Sequence, residues 1–233
     1  MGEANSGGEP LVPLTGWKRY VVRREVRTRT TWTFRLAATA AMCFVVWLTT
    51  GIWAAAVARG LVCDSLMQPS DAILVDNFDP DYLLFERARQ LRVAGMAPRV
   101  LVPVTVDGAT GAPNPVDQGI ADVLARLSRV GSVEIVPIRQ VEPISLNAAR
   151  DIGDYLARSH LRSVIVVTPL FRSRRSALVY AATLGSAGVR LHCDPGPRDA
   201  VSQWTGTWHG IQNVVEQWGK LQYYRFWVLP RME

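Results

Sequence analysis

Three arginines lie close together after a strongly apolar segment of this 233-residue chain. Arg172, Arg174 and Arg175 follow the run Val164-Ile165-Val166-Val167, at the predicted start of a helix. The first turn of a helix carries free N–H groups and a partial positive charge, which disfavours cations there unless an anion binds. The cluster therefore predicts a site for phosphate or carboxylate. The alternative is ordinary surface arginine, in a chain with 26 lysines and arginines.

Polar residues elsewhere are expected at the same edge of the fold. Asp76 and Asp194 lie at or just after the ends of predicted strands, so both are candidate acid–base groups. In open α/β sheets, ligands bind beyond the carboxyl ends of the strands. The residues that we predict to bind a ligand there are Ser145, Asn147, Thr168, Arg172 and Arg175.

An alternation of apolar runs and helical patterns must position these residues. Strand–helix–strand units form right-handed crossovers and a parallel sheet covered on both faces. We therefore predict a Rossmann-like α/β domain, with helices on both faces of the sheet, over residues 65–233. The predicted strands are 72–75, 99–104, 133–138, 164–167 and 189–192.

Capping residues predict where three helices begin. Asp79-Pro80, Asn114-Pro115 and Ser145 have the residue types that favour a helix start. The helix after Asn114 carries an apolar stripe on one face. Its members are Val116, Ile120, Val123, Leu124 and Leu127.

The C-terminal segment, residues 201–227, reads as a helix rich in aromatic residues. We expect the face with Trp218 to pack in the core, and Tyr224, Trp227 and Val228 to lie outward. Aromatic rings beside arginine and lysine favour the headgroup level of a bilayer. The tail is therefore a candidate membrane contact.

Five parts of the chain carry a resemblance to a known family. They are 70–75, 86–88 with 94–95, 145–147, 167–176 and 216–224. These segments resemble the YdcF/SanA/ElyC-like domains, in the order seen in that family. The resemblance covers about residues 70–226, and the segment that includes the arginine cluster is its most specific part. It implies an envelope-facing, single-pass protein with a Rossmann-like fold, acting in cell-envelope or exopolysaccharide metabolism.

The chain departs from the family pattern where acid–base groups are expected. Arg172 stands in place of a histidine, and Asp76-Asn77-Phe78 replaces a Gly-rich turn. The helix after Ser145 has Ala148, Arg150 and Asp151 where the family has Thr, Glu and Asn. Arginine stays protonated, so it can hold a phosphate but is a poor proton shuttle.

Two functional hypotheses follow from the resemblance. Ser145, Thr168 and Arg175 match the family and favour an envelope enzyme acting on a phosphorylated lipid carrier or glycan intermediate. The missing histidine and glutamate favour a catalytically inactive, membrane-anchored scaffold of an envelope assembly. The partners expected are the lipid bilayer, an anionic or phosphorylated envelope ligand, and envelope-assembly proteins.

One uncharged segment, residues 36–58, predicts a transmembrane signal anchor. A helix of that length spans about 34 Å, enough for a hydrocarbon core of about 30 Å. The first 59 residues hold 8 basic and 3 acidic side chains, against 18 and 17 in the rest of the chain. This asymmetry places the basic arm, residues 1–35, in the cytoplasm and the domain outside the cell (inner) membrane. A cleaved signal peptide or a buried core helix are the alternatives.

Composition and motifs argue against several other classes. The net charge of +6 comes mainly from the arm, so the near-neutral domain is not expected to bind nucleic acid. No dinucleotide or P-loop motif is present, and the three histidines lack metal-ligand spacing, so we predict no cofactor and no metal. Cys63 and Cys193 would both lie outside the cytoplasm, where they could pair or stay as buried thiols.

The topology gives a direct test. An alkaline phosphatase reporter fused after Glu233 should be active, because the enzyme matures only outside the cytoplasm and the basic residues precede the anchor. Activity is measured in whole cells against a cytoplasmic reporter at the same position. A signal from the cytoplasmic reporter alone would reverse the orientation.

Overall fold

The structure is a computed structural model that describes residues 31–64, 66–78, 80–108, 110–196 and 204–231. Residues 1–30, with most of the predicted basic arm, lie outside the described residues, as do Asp79 and residues 201–203. The chain divides into two units, Met1–Leu48 and Thr49–Glu233, and the α/β domain belongs to the second.

The first helix among the described residues, α1, covers Trp32–Leu61 and contains the uncharged segment. By length and composition it is apolar enough to cross a membrane. Its last turns belong to the second unit, where Ala54, Ala58 and Leu61 are buried.

Five parallel strands form a single sheet of order β3-β2-β1-β4-β5, which confirms the predicted Rossmann-like sheet. The order reverses between β1 and β4, the kind of switch point at which doubly wound sheets bind ligands. Every strand ends within two residues of its predicted limits. The strands are β1 (Ala72–Val75), β2 (Arg99–Thr105), β3 (Glu134–Ile138), β4 (Ser163–Val167) and β5 (Arg190–Asp194).

Helices cover both faces because side chains alternate along each strand. Ile73 and Val75 pack with α2 and α3, whereas Ala72 and Leu74 pack with α4 and α5. The 3₁₀ turn Leu170–Arg172 leads into α5. The helices are α2 (Tyr82–Val93), α3 (Pro115–Ser128), α4 (Ile144–Arg158), α5 (Ser173–Leu184) and α6 (Trp208–Tyr223).

One of the three predicted helix starts is confirmed. Asn114 caps α3, and its side chain accepts the N–H of Val116. The cap of α2 is Asp81 rather than the predicted Asp79-Pro80, because the Asp81 carboxylate accepts the N–H two residues on. Ser145 lies inside the first turn of α4, where Arg175 of α5 donates to its hydroxyl, so it does not cap the helix.

Four of the five residues in the apolar stripe of α3 are exposed. Val116 is 66% exposed and Leu127 is 64% exposed, although helices normally bury such a stripe, whereas Leu124 packs against the core. The buried residues of α3 are Ala121, Ala125 and Ser128. Their small side chains let α3 lie close to the sheet, so most of the larger residues are left on the outer face.

The C-terminal segment differs from the prediction at two residues. Trp227 is exposed as expected, but Tyr224 and Val228 are buried in the core. A π-helical turn, Tyr224–Val228, follows α6. This turn shifts the helical register by one residue, which brings both side chains inward.

Packing and a disulfide fix the end of α1 to the domain. Ala54 and Leu61 pack in a cluster with Trp204, whose indole N–H donates to the Ala54 carbonyl at 3.2 Å. Cys63 and Cys193 form a disulfide across a sequence separation of 130 residues. The second of the two alternatives for the cysteines, a pair of buried thiols, is therefore not observed.

Asp71 joins the start of β1 to the start of β4, which predicts a pH-dependent contribution to stability. Its carboxylate accepts the N–H groups of Arg162 and Ser163 at 2.8 and 2.9 Å. These hydrogen bonds, that from Arg162 first, lower the pKa of Asp71 below its ordinary value of about 3.8. A lowered folded-state pKa adds stability above the unfolded pKa, and this stability is lost as the pH falls through the folded pKa.

Asp71→Ala should therefore lower the free energy of unfolding by about 1–3 kcal/mol at pH 7, with a smaller difference towards pH 3. Urea titrations of the full chain in a neutral detergent measure the difference at each pH. A difference that stays constant from pH 7 to pH 3 would contradict the assignment.

Candidate anion-binding site

A buried carboxylate lies at the switch point of the sheet. Asp76 directly follows β1 and is 0% exposed. The hydroxyls of Thr168, after β4, and Ser176, on α5, donate to its Oδ2 at 2.7 and 3.0 Å. Two strand ends and one helix therefore meet at this carboxylate.

Arg172 is the cation nearest to this carboxylate among the described residues. Its Nη1 lies 3.5 Å from the Oδ1 of Asp76, and its side chain is mostly buried. Arg172 ends the 3₁₀ turn before α5, so the ion pair holds the start of α5 over the end of β1.

Arg175, one turn further along α5, is a buried cation among neutral partners. It is 7% exposed, and its guanidinium donates to Ser145 Oγ at 3.4 Å and to Gln217 Oε1 at 3.3 Å. The guanidinium carbon also lies 5.6 Å from the centre of the Tyr224 ring. Within the described part of the chain, Arg175 Nε has no hydrogen-bond partner, and the residue forms no ion pair.

Burial acts directly on the charge of Arg175. Removal from water, and next the positive charge of Arg172, lower the pKa of Arg175. A carboxylate or phosphate close to the guanidinium would offset both effects.

An inner cavity of about 10 Å³ lies between these side chains. That volume is roughly enough for one water molecule. The hydroxyl of Tyr180, which also lines it, is buried without a hydrogen-bond partner among the described residues. Burial first, and the charge of Asp76 next, raise the pKa of Tyr180 well above 10.0, so its hydroxyl stays protonated and can donate.

An outer cleft of about 460 Å³ gives access to the guanidinium groups. Arg172 lines both the inner cavity and this cleft. Gln217, which holds Arg175, also lines the cleft, and Leu170 and Phe171 form part of its apolar wall. An anion arriving through the cleft would meet Arg172 first and Arg175 on displacement of Gln217.

The structure brings together five of the seven residues proposed from the sequence. They are Asp76, Ser145, Thr168, Arg172 and Arg175. The other two lie elsewhere. Asp194 points towards the opposite face, where it pairs with Arg87 of α2 at 2.9 Å. The amide of Asn147 donates to the carbonyl of Val141 and accepts from Arg150.

Three further residues complete the site: Ser176, Tyr180 and Gln217. Ser176 and Tyr180 follow Arg172 by four and eight residues. Helical spacing therefore places Ser176 and Tyr180 on the face of α5 that continues from Arg172. That spacing was a usable signal in the sequence. Gln217 is on α6, and its sequence neighbours give no indication that it reaches Arg175.

The site is suited to holding an anion. The inner cavity supplies two guanidinium groups, hydroxyls and a protonated phenol, whereas the Asp76 carboxylate already accepts two hydrogen bonds. Asp81 adds a second carboxylate, in the lining of the outer cleft. Among the described residues, no group of three or more histidine, cysteine, aspartate or glutamate side chains could hold a metal ion. The guanidinium groups and hydroxyls therefore favour binding of a charged oxygen group.

No family model, curated protein or solved structure matches the chain. Fold and site define an α/β protein with a Rossmann-like sheet and a candidate anion site, together with an N-terminal helix apolar enough to span a membrane.

Removal of the buried carboxylate tests the core of the site. Asp76→Ala should lower the free energy of unfolding by about 3–5 kcal/mol, because the charge of Arg172 would lose its buried partner. Denaturant titration of the full chain in detergent measures the change. Asp122→Ala, on the exposed side of α3, is the control and should change stability by less than about 0.5 kcal/mol. Equal effects of the two substitutions would contradict the ion pair.

Proposed function

We propose that this chain is a membrane-anchored, extracytoplasmic protein that binds a phosphorylated or otherwise anionic envelope ligand at Arg172 and Arg175. The observation that carries the proposal is the buried guanidinium of Arg175, whose hydrogen-bond partners are both neutral. Burial lowers the pKa of Arg175 most, and the charge of Asp76, which pairs with Arg172, offsets only part of that effect. A buried charge without an ion pair of its own is costly, and such groups cluster at functional sites.

The hydrogen bonds of Arg175 favour exchange for a ligand. Its contacts with Ser145 and Gln217 measure 3.4 and 3.3 Å, whereas N–H···O bonds usually measure about 2.9–3.0 Å. A phosphate or carboxylate oxygen would form shorter, charge-assisted bonds with the same guanidinium. Displacement of the Gln217 amide by such an oxygen would therefore be favourable.

Two features support the proposed location. Helix α1 has the length and composition of a membrane span, and the basic residues precede it. Disulfides persist mainly in oxidising compartments, so the Cys63–Cys193 bond supports a domain outside the cytoplasm. On this proposal the chain is a single-pass protein of the cell (inner) membrane.

The packing of α1 modifies the proposed span. Ala54 and Ala58 are buried against the domain and are not available to lipid. We therefore place the lipid-facing part before Ala54, between Trp32 and Trp53, a length of about 33 Å. Arg35 would then extend to the cytoplasmic headgroups, as arginine does near the ends of spans.

The resemblance to YdcF/SanA/ElyC-like domains supports a role in cell-envelope or exopolysaccharide metabolism. Within that role, catalysis would need a group that exchanges protons. The buried carboxylate of Asp76 is the candidate in the site, but Thr168 and Ser176 already occupy its Oδ2. We therefore propose ligand binding as the role of the site.

A second candidate function is that of a catalytically inactive scaffold for an envelope assembly. The observation that favours it is the set of exposed apolar residues on α3, which are Val116, Ile120, Val123 and Leu127. The two functions are compatible, since the stripe and the anion site use different residues.

Substitution of Arg175 tests the binding proposal. Arg175→Ala should weaken binding of inorganic phosphate or pyrophosphate by about 1.5–3 kcal/mol, the range for hydrogen bonds to charged groups. Calorimetric titration of the full chain in a neutral detergent measures the affinity. Arg175→Met keeps most of the side-chain volume and controls for a cavity effect.

Arg174→Ala is the matched control, because Arg174 is the exposed neighbour in the same turn of α5. It should leave the affinity nearly unchanged. Equal weakening by both alanine variants would show that the response is one of surface charge. An absence of phosphate binding by the wild-type chain would refute the anion site.

A further inference from the structure

A polar cleft of about 140 Å³ lies beside the anion site. It is formed by residues at the carboxyl ends of β1, β2 and β3, among them Asn77, Thr105 and Ile138. Phe78 lines both this cleft and the inner cavity that holds Arg175. Phe78 is therefore a wall residue that the two sites share.

We propose that this cleft binds an uncharged, hydroxyl-rich group, so that the ligand is a phosphorylated sugar or polyol. The inference rests on the proposed anion site, which would hold the phosphate. The hydrogen-bonding groups, the charge and the size of the cleft each support it.

The cleft contains hydrogen-bonding groups that are not fully used. Asn77 is only 9% exposed, and its Oδ1 is buried with no partner among the described residues. The Asp117 carboxylate accepts the hydroxyl of Thr105 through Oδ2. Gln140 adds a second amide to the lining. A ligand hydroxyl group can donate a hydrogen bond to a carboxylate and accept one from an amide N–H, so it is suited to a cleft that contains both.

The charge of the cleft is opposite to that of the anion site. Among the described residues, Asp117 forms no ion pair. An unpaired carboxylate repels a second phosphate or carboxylate but accepts hydroxyl hydrogens. The charges therefore set the orientation of a bound ligand. Its phosphate would lie at Arg175 and its neutral hydroxyls at Asp117.

The size and the apolar walls limit the hydroxyl-bearing group. Pockets for drug-sized ligands usually enclose about 300–1,000 Å³, so about 140 Å³ suits one small ring or a short polyol. Phe78, Pro103 and Ile138 supply apolar surface opposite the polar groups. A sugar ring has this combination of C–H faces and hydroxyl edges.

The test compares glucose 1-phosphate with inorganic phosphate on the full chain in a neutral detergent. We expect the sugar phosphate to bind at least about tenfold more tightly, which corresponds to one or two added hydrogen bonds to charged or buried groups. In Asp117→Asn and in Gln140→Ala, this ratio should fall to about twofold or less. Asp122→Asn, on the exposed side of the same helix, should keep the wild-type ratio.

Each outcome decides between the two proposals. The cleft inference is overturned, with the anion site left standing, if neither the soluble pair nor the lipid pair described below shows a preference, or if neither cleft variant changes the preference. If no probe of either pair binds, both proposals fail. Binding of the sugar phosphate that persists in Arg175→Ala would refute the anion site as the holder of the phosphate.

The same ligand chemistry occurs free or attached to a lipid. Glucose 1-phosphate is the soluble form, and phosphatidylinositol in mixed micelles, with phosphatidic acid as its reference, is the lipid-linked form. A preference that depends on Asp117 and Gln140 in either pair supports the cleft. A preference in the soluble pair identifies a free ligand, and a preference in the lipid pair identifies a lipid-linked one. The absence of a preference from both pairs contradicts the inference.

Discussion

The full burial of the Asp76 carboxylate is the constraint on which the rest of the site depends. A carboxylate at 0% exposure needs hydrogen-bond donors or a counter-charge. The hydroxyls of Thr168 and Ser176 donate to Oδ2, and the guanidinium of Arg172 lies 3.5 Å from Oδ1, which accepts no hydrogen bond among the described residues. These contacts set the position of α5 over the ends of β1 and β4. Because Arg175 is three residues beyond Arg172, the same contacts bring a second guanidinium inward.

The second guanidinium is what separates this site from a purely structural ion pair. One carboxylate pairs with one arginine, while the hydrogen-bond partners of Arg175 among the described residues are both neutral. A core built for stability alone would place an apolar residue there. Proteins retain local conflicts of this kind mainly where function needs them. The polar cleft on the far side of Phe78 then gives the anion site a neighbour of opposite charge.

Sequence patterns located the sheet and most of the site, and their failures have physical causes. Strand ends could be located because β-branched runs stop at turn residues, but a strand end does not say which face a side chain takes. Asp194 is such a case, since it points to α2 and not to Arg175. Periodicity identified the stripe of α3 but not its direction, which depends on how closely Ala121 and Ala125 approach the sheet. The burial of Tyr224 follows from a π-helical turn, for which the sequence has no signature.

The disulfide between Cys63 and Cys193 has a consequence for proteolysis. The bond closes a covalent loop that contains all of β1 to β4, and it joins the end of α1 to β5. A protease that cuts once inside this loop leaves two fragments that stay joined until the disulfide is reduced. In gel electrophoresis without a reducing agent, such a nicked molecule would still migrate as one species. Both fragments would stay attached to α1. Arg172 and Arg175 would thus stay linked to α1 after a cut that separates them from Asp76 along the backbone.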